Sequence, residues 1–266
     1  MATIEENREM WDKEWDDRGE VWSEAWGGVE AEWFGTILPR IHGCFPSPTI
    51  LEIAPGRGRW TQFLKDHCEQ LVLIDLSETC IRACEERFRA TTHLRYFVND
   101  GKSLDMIPDR SIDFVFSFDS LVHSDADIIE AYLAELSKKL KSGGLGFIHH
   151  SNIGSYRDEA TGAFPDGFEN PHWRGENMTA RLFAEFCERL GLQCITQEIV
   201  NWHGDILNDC FSLFTRPTSA HDARPHQPFI NPRFMQEVAR IAHLHQLYTA
   251  PLAQTSLTEE TMNAER

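Results

Sequence analysis

The chain has 266 residues, of which 42 are aspartate or glutamate and 25 are lysine or arginine, so its formal net charge is −17. Such an acidic surface repels phosphate backbones, which argues against DNA or RNA as the main partner. No stretch of about 18 apolar residues is present, so the sequence predicts no membrane span. The seven cysteines form no Cys-x-x-Cys pair and the first residues do not resemble a signal peptide, which predicts a reducing, cytoplasmic location.

Tryptophans recur at helical spacing in the first part of the chain. Trp26 and Trp33 are seven positions apart, which places both rings on one face of a helix, and Gly27-Gly28 interrupts the pattern. We predict a helical lid over residues 1–45 that caps the substrate, with Trp26 near the cofactor. The alternative for most of these rings is a stripe that only docks the helices on the core.

From residue 46 to residue 216, apolar segments with strand character alternate with helical patterns. The predicted strands are 50–54, 71–75, 94–98, 112–118, 145–150, 192–199 and 209–215, with helices over 58–66, 77–88, 126–140 and 179–190. This alternation predicts an α/β fold, a Rossmann-like seven-stranded, mostly parallel sheet with helices on both faces. The last strand follows too short a loop for a crossover, so we expect it to run antiparallel.

Residues 217–266 form the third predicted unit. Prolines and a shortage of apolar groups predict a linker over 216–231, and Asn231-Pro232 is a typical helix start. The helix carries an apolar stripe to about Leu247, and a flexible tail follows. The sequence leaves open whether this helix folds back on the sheet domain or forms a homodimer.

The turn Gly56-x-Gly58, which joins the first strand to a helix, is the most informative motif. The second strand ends on Asp75, 17 positions after Gly58, where a carboxylate accepts hydrogen bonds from both ribose hydroxyls of a nucleotide-type cofactor. A dinucleotide fingerprint has a third glycine where Trp60 and Thr61 stand here. The turn therefore favours S-adenosylmethionine, which has no phosphate, over NAD. The alternative for Asp75 is an ordinary acid that caps the next helix.

Further residues at the strand ends are expected to surround the cofactor. Asp100 is placed to accept from the adenine amino group, unless Asn99-Asp100-Gly101 is only a tight turn. Glu52 lies within an apolar strand and needs a polar partner, which is either the methionine end of the cofactor or Arg59. Together the expected cofactor contacts are Trp26, Glu52, Ala54, Gly56, Gly58, Trp60, Asp75, Leu76, Asp100, Gly101, Phe118 and His123.

The fourth strand is followed by Phe118 and Asp119, which we expect to flank the reactive sulfonium, because ligands of open α/β sheets bind beyond the carboxyl ends of strands. Asp119 is also counted among the catalytic candidates. His123 follows in the first turn of the next helix, where it either touches the cofactor or is an ordinary packed side chain.

Two adjacent histidines, His149 and His150, end the fifth strand. A hydroxyl acceptor must lose its proton as it attacks, and imidazole titrates nearest neutral pH. Their side chains point to opposite faces of the sheet, so we expect only one to be the base. The alternative is a core histidine bound to backbone. Asp119, His149 and Asp209 form a candidate Mg²⁺ set, although no spacing among them is diagnostic.

Two tryptophans outside the strands are candidate substrate contacts. Trp173 and Trp202 follow the fifth and sixth strands, respectively. Flat aromatic faces suit the C–H surfaces of sugars. We therefore expect both rings to contact the acceptor.

Several of these motifs resemble one branch of class I S-adenosylmethionine-dependent methyltransferases, over about residues 5–216. The resemblance rests on the runs Leu51-Glu52-Ile53-Ala54-Pro55-Gly56-x-Gly58-Arg59-Trp60-Thr61, Asp75-Leu76-Ser77, Asn99-Asp100-Gly101, Ser117-Phe118-Asp119-Ser120-Leu121-Val122-His123 and Phe147-Ile148-His149-His150-Ser151-Asn152. Within that superfamily the chain is similar to bacterial sugar O-methyltransferases, including those that methylate mannose units of mycobacterial polysaccharides. The resemblance implies a histidine base and, in some members, Mg²⁺.

The expected function is therefore methyl transfer from S-adenosylmethionine to a hydroxyl of a sugar or oligosaccharide. One alternative is a small-molecule O- or N-methyltransferase with a non-sugar acceptor, since the cofactor turn does not specify the acceptor. The other alternative is a non-catalytic protein that only binds the cofactor.

Overall fold

The computed structural model describes residues 3–12, 18–219 and 224–264, with side chains to residue 249, so the predicted lid falls partly outside the described residues. The α-helices are α1 (Ile4–Trp11), α2 (Val29–Glu32), α3 (Leu38–Ile41), α4 (Thr61–Leu64), α5 (Glu78–Arg87), α6 (Ala126–Lys139), α7 (Ala180–Arg189) and α8 (Phe234–Ala264). The strands are β1 (Thr49–Ile53), β2 (Gln70–Asp75), β3 (Leu94–Val98), β4 (Ile112–Ser117), β5 (Leu140–Ser151), β6 (Gln193–Val200), β7 (Asp209–Thr215) and β8 (Gln227–Asn231). Across these residues no helix combines the length and apolarity needed to cross a membrane.

The eight strands form one mixed sheet in the order β3-β2-β1-β4-β5-β7-β6-β8. The pairs from β3 to β5 are parallel, and β7 runs antiparallel to both β5 and β6, as its short preceding loop predicts. The chain leaves β1 toward β2 and β3 on one side and returns to place β4 on the other. Such a reversal opens a crevice at the carboxyl ends of the two central strands.

Polar side chains fix where the major helices begin. Ser77 accepts a hydrogen bond from the Cys80 amide at 3.1 Å and so caps α5. Thr179 accepts from the Leu182 amide at 2.9 Å and caps α7. These caps satisfy amides that lack a partner within the helix, so they set the point at which each chain segment leaves the sheet edge.

The predicted seven-stranded sheet is corrected to eight strands, because part of the predicted linker pairs with β6. Residues 227–231 form β8, parallel to β6, at the edge of the sheet, where a residue such as Pro228 is tolerated because one side of the strand is unpaired. The helix α6 ends at Lys139, close to the predicted end at residue 140, and Gly143 lies within β5 with φ of 77°. The last helix continues to Ala264 rather than ending near residue 247.

Two apolar clusters pack on the two faces of the sheet. Successive strand residues point to opposite faces, so Leu51 joins the cluster under α6 and α7 while Ile50 joins the other. The second cluster contains the buried rings of Trp26 and Trp33, and it also takes in Phe234 at the start of α8. The helices α2 and α3 and the first turn of α8 therefore pack on the same face of the sheet, whereas Ile4 of α1 packs against the first cluster.

Candidate functional site

A cavity of about 470 Å³ opens beside the carboxyl ends of β1, β2 and β4, in the crevice that the strand order creates. The N-terminal segment forms part of its wall through Ile4, Trp11 and Trp22. The predicted site residues on the wall are Ala54, Gly56, Trp60, Asp75, Leu76, Gly101, Phe118, Asp119, His123, Trp173 and Trp202. Within the described part of the chain, the other predicted residues lie away from the wall: Trp26, Glu52, Gly58, Asp100, His149, His150 and Asp209.

The turn after β1 has an unusual backbone. Ala54 has φ of 56°, and Gly56 and Gly58 have φ of 57° and 84°. A positive φ is uncommon outside glycine and is found disproportionately at functional sites. A Cβ at Gly58 would overlap the ring of Phe88. Gly58 is therefore needed for packing of the turn on α5, whereas the Gly56 backbone is the part that faces the cavity.

Asp75 ends β2 with its carboxylate at the cavity and only 5% exposed. One oxygen accepts from the Gly56 amide at 3.1 Å and the other from the Ser77 amide at 2.9 Å. Burial raises the pKa of Asp75 to about 6, and these amides partly offset that effect. Each carboxylate oxygen has a further lone pair, so the group is able to accept from a diol on the cavity side.

The turn after β3 differs from the prediction at Asp100. The Asp100 carboxylate accepts from the amides of Lys102 at 3.0 Å and Ser103 at 2.7 Å, as in the tight-turn alternative. Burial alone would raise its pKa, but the bonds from these amides lower it. Gly101 is the residue of this turn that reaches the cavity wall.

Asp119, after β4, reaches the cavity wall and forms a short ion pair. Its Oδ2 accepts from Arg59 Nη2 at 2.6 Å, and Arg59 also lines the cavity. Burial alone would raise the pKa of Asp119, but the charges of Arg59 and Arg174 hold it below its usual range. Asp119 also has a left-handed backbone, with φ of 57°.

Glu52 lies below the cavity and does not reach the wall, so its predicted contact with the methionine end of the cofactor is corrected. One carboxyl oxygen accepts from the Thr61 hydroxyl at 2.6 Å rather than from Arg59. The other oxygen has no hydrogen-bond partner among the described residues. Burial raises the pKa of Glu52 to about 8, so this carboxyl is mainly protonated at neutral pH.

His150 is a core residue rather than a base at the cavity. It is fully buried, its Nδ1 lies 2.8 Å from the Ser151 carbonyl and its Nε2 lies 2.8 Å from the Ser212 hydroxyl. The ring stacks on Phe183 with the centroids 4.5 Å apart. Burial lowers the pKa of His150 to about 4. This matches the alternative of a core histidine.

His149 is likewise fully buried and both of its ring nitrogens are engaged by the protein. Its Nε2 lies 2.9 Å from Asp209 Oδ2, and its Nδ1 lies 3.2 Å from the Asp119 amide nitrogen. Phe118 and Trp202 pack against the ring at centroid distances of 4.8 and 4.7 Å. The predicted base therefore lies behind the cavity wall, where no acceptor reaches it in this arrangement.

The two carboxylates of the predicted metal set have arginine partners instead. Asp209 accepts two hydrogen bonds from the Arg174 guanidinium, at 2.9 and 2.8 Å, and Asp119 pairs with Arg59. Burial alone would raise the pKa of Asp209, but Arg174 and His149 lower it to about 2. Among the described residues no group of three or more His, Cys, Asp or Glu side chains is placed to hold a metal ion.

The two predicted substrate tryptophans both reach the cavity wall, whereas Trp26 does not. Trp173 is 64% exposed, and Trp202 is buried against Trp26 with the ring centroids 5.1 Å apart. Trp26 donates its indole N–H to the Thr36 hydroxyl at 2.8 Å and is fully buried. Trp26 is thus a docking residue that supports Trp202 from behind.

Among the described residues, three histidines line the cavity, and the sequence predicts only His123 of these as a site residue. The His123 Nδ1 lies 3.1 Å from the Trp173 carbonyl, and burial lowers its pKa to about 4. His172 and His203 belong to loops, with ring centroids 5.5 Å apart. Arg59 and Arg174 also line the wall, although the sequence suggests Arg59 only as a partner of Glu52 and gives no role to Arg174. Arg59 directly follows the Gly56-x-Gly58 turn, which is a signal for its position, whereas the loop that carries Arg174 has no pattern that points to a cavity.

Comparisons with known proteins agree with this geometry. The family described as a methyltransferase domain matches residues 50–144. Phosphoethanolamine N-methyltransferase 1 of Triticum aestivum is 27% identical over 139 residues, which are 52% of this chain and 27% of that protein. The chain thus spans little more than a quarter of that relative's length.

Solved methyltransferases share the fold at low sequence identity. An S-adenosylmethionine-dependent methyltransferase from Methanosarcina mazei has a TM-score of 0.52 and 16% identity, covering 68% of this chain and 98% of its own. The N-methyltransferase NodS from Bradyrhizobium japonicum, solved with S-adenosylhomocysteine, has a TM-score of 0.51 and 19% identity, covering 71% and 88%.

Residues 50–144 thus match a methyltransferase domain, and the strand order around the cavity is part of a fold shared with solved S-adenosylmethionine-dependent methyltransferases. The sequence predicts S-adenosylmethionine as the cofactor, and NodS was solved with S-adenosylhomocysteine. The residues at the cavity fit that group, because Asp75 offers carboxylate oxygens to a ribose diol and the Gly56 backbone permits close approach. Leu76 and Ile128 are apolar residues of the same cavity wall.

Proposed function

We propose that this protein transfers a methyl group from S-adenosylmethionine to a hydroxyl of a sugar or oligosaccharide. The observation that carries the proposal is the wall of the cavity beyond Asp119. There the rings of Trp173 and Trp202 stand beside the imidazoles of His172 and His203. Aromatic faces suit sugar C–H surfaces, while imidazole nitrogens exchange hydrogen bonds with hydroxyls.

The charge state of the wall supports a neutral acceptor. Arg59 and Arg174 both reach the wall, but each is already paired with a buried or half-buried carboxylate, Asp119 or Asp209. A paired guanidinium attracts a phosphate less than an unpaired one does. We therefore favour a polyol over the phosphorylated amine that the name of the wheat relative specifies.

Proton removal is assigned to His123 in this proposal. Its Nδ1–H donates to the Trp173 carbonyl, which leaves a lone pair on Nε2, and its lowered pKa keeps the ring neutral at pH 7. His123 lines the cavity, unlike His149 and His150. When bound, the cofactor supplies the electrophilic methyl group, and the wall residues position the attacking oxygen in line with it.

The N-terminal residues 1–45 are proposed as a lid over this site, ahead of a methyltransferase domain at 46–216 and a C-terminal unit at 217–266. The Asn7 side chain donates to the His123 carbonyl at 3.3 Å. Asp12 accepts from the Ser77 hydroxyl at 2.7 Å, beside the start of α5. These bonds attach α1 to both the β2 and the β4 sides of the cavity.

A second candidate function is N-methylation of a small amine, which the relative from Triticum aestivum favours by its name. An amine attacks through its own lone pair, so it depends less on a base in the wall. The two functions therefore differ in how strongly they need His123.

Methyl transfer from S-adenosylmethionine carrying a labelled methyl group tests both functions in one acceptor panel. The panel contains mannosides and other saccharides, catechol, ethanolamine and phosphoethanolamine. We expect label on a saccharide, with the rate reduced about 10²–10⁴-fold in His123→Gln. Exclusive labelling of ethanolamine or phosphoethanolamine would replace the first function by the second. Calorimetry with S-adenosylhomocysteine on both variants is the control, because His123→Gln should keep most of its cofactor affinity.

A further inference from the structure

A continuous buried chain of hydrogen bonds runs behind the cavity wall from Arg174 to Asp119. Arg174 holds Asp209 through two bonds, and Asp209 Oδ2 lies 2.9 Å from His149 Nε2. On the other side of the ring, His149 Nδ1 lies 3.2 Å from the Asp119 amide nitrogen. Three of these four residues, Arg174, Asp209 and His149, are at most 2% exposed.

The partners fix the tautomer of His149. A backbone amide only donates, so Nδ1 must carry the lone pair that accepts from Asp119. The proton of a neutral ring is then on Nε2, where it donates to the Asp209 carboxylate. Because Arg174 keeps Asp209 ionised, this acceptor is always present. Neither nitrogen of His149 is left for an acceptor hydroxyl.

This hydrogen-bond arrangement holds the backbone of Asp119. Its backbone is left-handed, with φ of 57°, which costs a residue other than glycine about 1–3 kcal/mol unless its surroundings hold it. The bond from its amide to His149 holds the backbone from one side. The ion pair with Arg59 holds the carboxylate from the other side, at the cavity wall.

We infer that His149 is a positioning residue: it holds Asp119 in the left-handed conformation that presents its carboxylate to the acceptor hydroxyls. Asp209 and Arg174 set the tautomer that makes this possible. The inference rests on the proposed function, since Asp119 matters in this way only if the acceptor binds at the same wall. It replaces the base role that the sequence suggests for His149.

Two substitutions separate positioning from base chemistry. His149→Asn keeps an oxygen acceptor near the place of Nδ1 but has no basic nitrogen, and His149→Leu removes the acceptor. Positioning predicts that Asn stays within about threefold of wild-type kcat, while Leu loses about tenfold or more, because a buried amide is left unpaired. A base role predicts a loss of about 10²–10⁴-fold in both variants. That result, or equal activity of both, would overturn the inference.

The tautomer gives a readout on the wild-type protein without any turnover. Long-range proton–nitrogen NMR on histidine-labelled protein at pH 7.5 should show His149 with its proton on Nε2 and a bare Nδ1. A proton on Nδ1 contradicts the bond from the Asp119 amide and would sink the inference, even if His149→Leu fails to fold.

A crystal structure of His149→Leu with S-adenosylhomocysteine keeps this inference separate from the proposed function. We expect Asp119 to leave the left-handed region while the cofactor site around Asp75 is unchanged. Asp119 remaining at a positive φ would show that His149 does not hold it. If no saccharide accepts a methyl group, the proposed function fails, yet the tautomer and the Asp119 backbone still decide whether His149 is a positioning residue.

Discussion

The two halves of the sheet use polar residues in opposite ways. In the parallel half, residues at or just beyond the ends of β1, β2 and β4 reach the cavity, and Asp75 is the clearest case. In the antiparallel half, β5 and β7 bring His149, His150 and Asp209 together, but all three are fully buried. Asp75 thus lines the cavity, whereas the polar residues at the end of β5 and the start of β7 are enclosed by the protein.

The register of β5 and β7 explains the difference. These strands are antiparallel, and His149 pairs opposite Phe211 while Ser151 pairs opposite Asp209. The carboxyl end of β5 thus meets the start of β7, and β7 is itself covered by β6 on its far side. The histidines end up between packed strands and helices rather than at an open edge.

Asp209→Asn should give the largest effect and test the antiparallel half. It leaves the buried Arg174 charge without its carboxylate, so we expect the free energy of unfolding to fall by about 3–5 kcal/mol. Denaturant titration measures this. Because Asp209 lies off the cavity wall, affinity for S-adenosylhomocysteine should change by less than about threefold. A large loss of affinity for S-adenosylhomocysteine with unchanged stability would show that Asp209 serves the cavity, as Asp75 does in the parallel half.

Asp75→Ala is the matching change in the parallel half. The variant loses the charged acceptor proposed for both ribose hydroxyls, so affinity for S-adenosylhomocysteine should fall by about 2–4 kcal/mol, or about 30- to 1000-fold in Kd. Calorimetry measures the change, with Asp66→Ala, at an exposed carboxylate, as the matched control. If Asp75→Ala binds S-adenosylhomocysteine as tightly as the wild type, Asp75 does not bind the ribose.

His150→Leu tests whether the second histidine of the antiparallel half has a structural role only. The change leaves the Ser151 carbonyl and the Ser212 hydroxyl without their imidazole partner, so we expect a loss of about 1–3 kcal/mol in unfolding free energy. Thermal and denaturant unfolding provide the measurement. Turnover per folded molecule should stay near that of the wild type. Loss of turnover in a variant that stays folded would show that His150 takes part in catalysis.

Glu52→Gln should give the smallest effect, in the parallel half. The folded pKa of Glu52 is about 8 and its ordinary value is 4.5. Between these values the folded state holds a proton that the unfolded state has lost, so stability falls as pH rises, by about 1.4 kcal/mol per pH unit. Glutamine removes this dependence, so the variant should gain about 1 kcal/mol on the wild type between pH 7 and 8. Parallel stability curves for both proteins would contradict the protonated state of Glu52.

The sequence predicts the parallel half better than the antiparallel half for a physical reason. The cofactor turn and Asp75 are local signals, since a glycine pattern and a strand end occur within a short stretch of chain. The position of His149 depends instead on Asp209 and Arg174, which are 60 and 25 residues away. Such pairing depends on strand register, which a single sequence does not reveal. The same limitation applies to β8, whose partner β6 is distant along the chain.

The edge strand β8 has a practical consequence for work on fragments of this protein. A fragment cut at residue 216, the end of the predicted methyltransferase domain, would remove β8 and leave the backbone amides and carbonyls of β6 along that edge unpaired. It would also remove Phe234, which is only 1% exposed, from the apolar cluster. Bare strand edges next to apolar surface recruit other chains, so such a fragment is expected to aggregate.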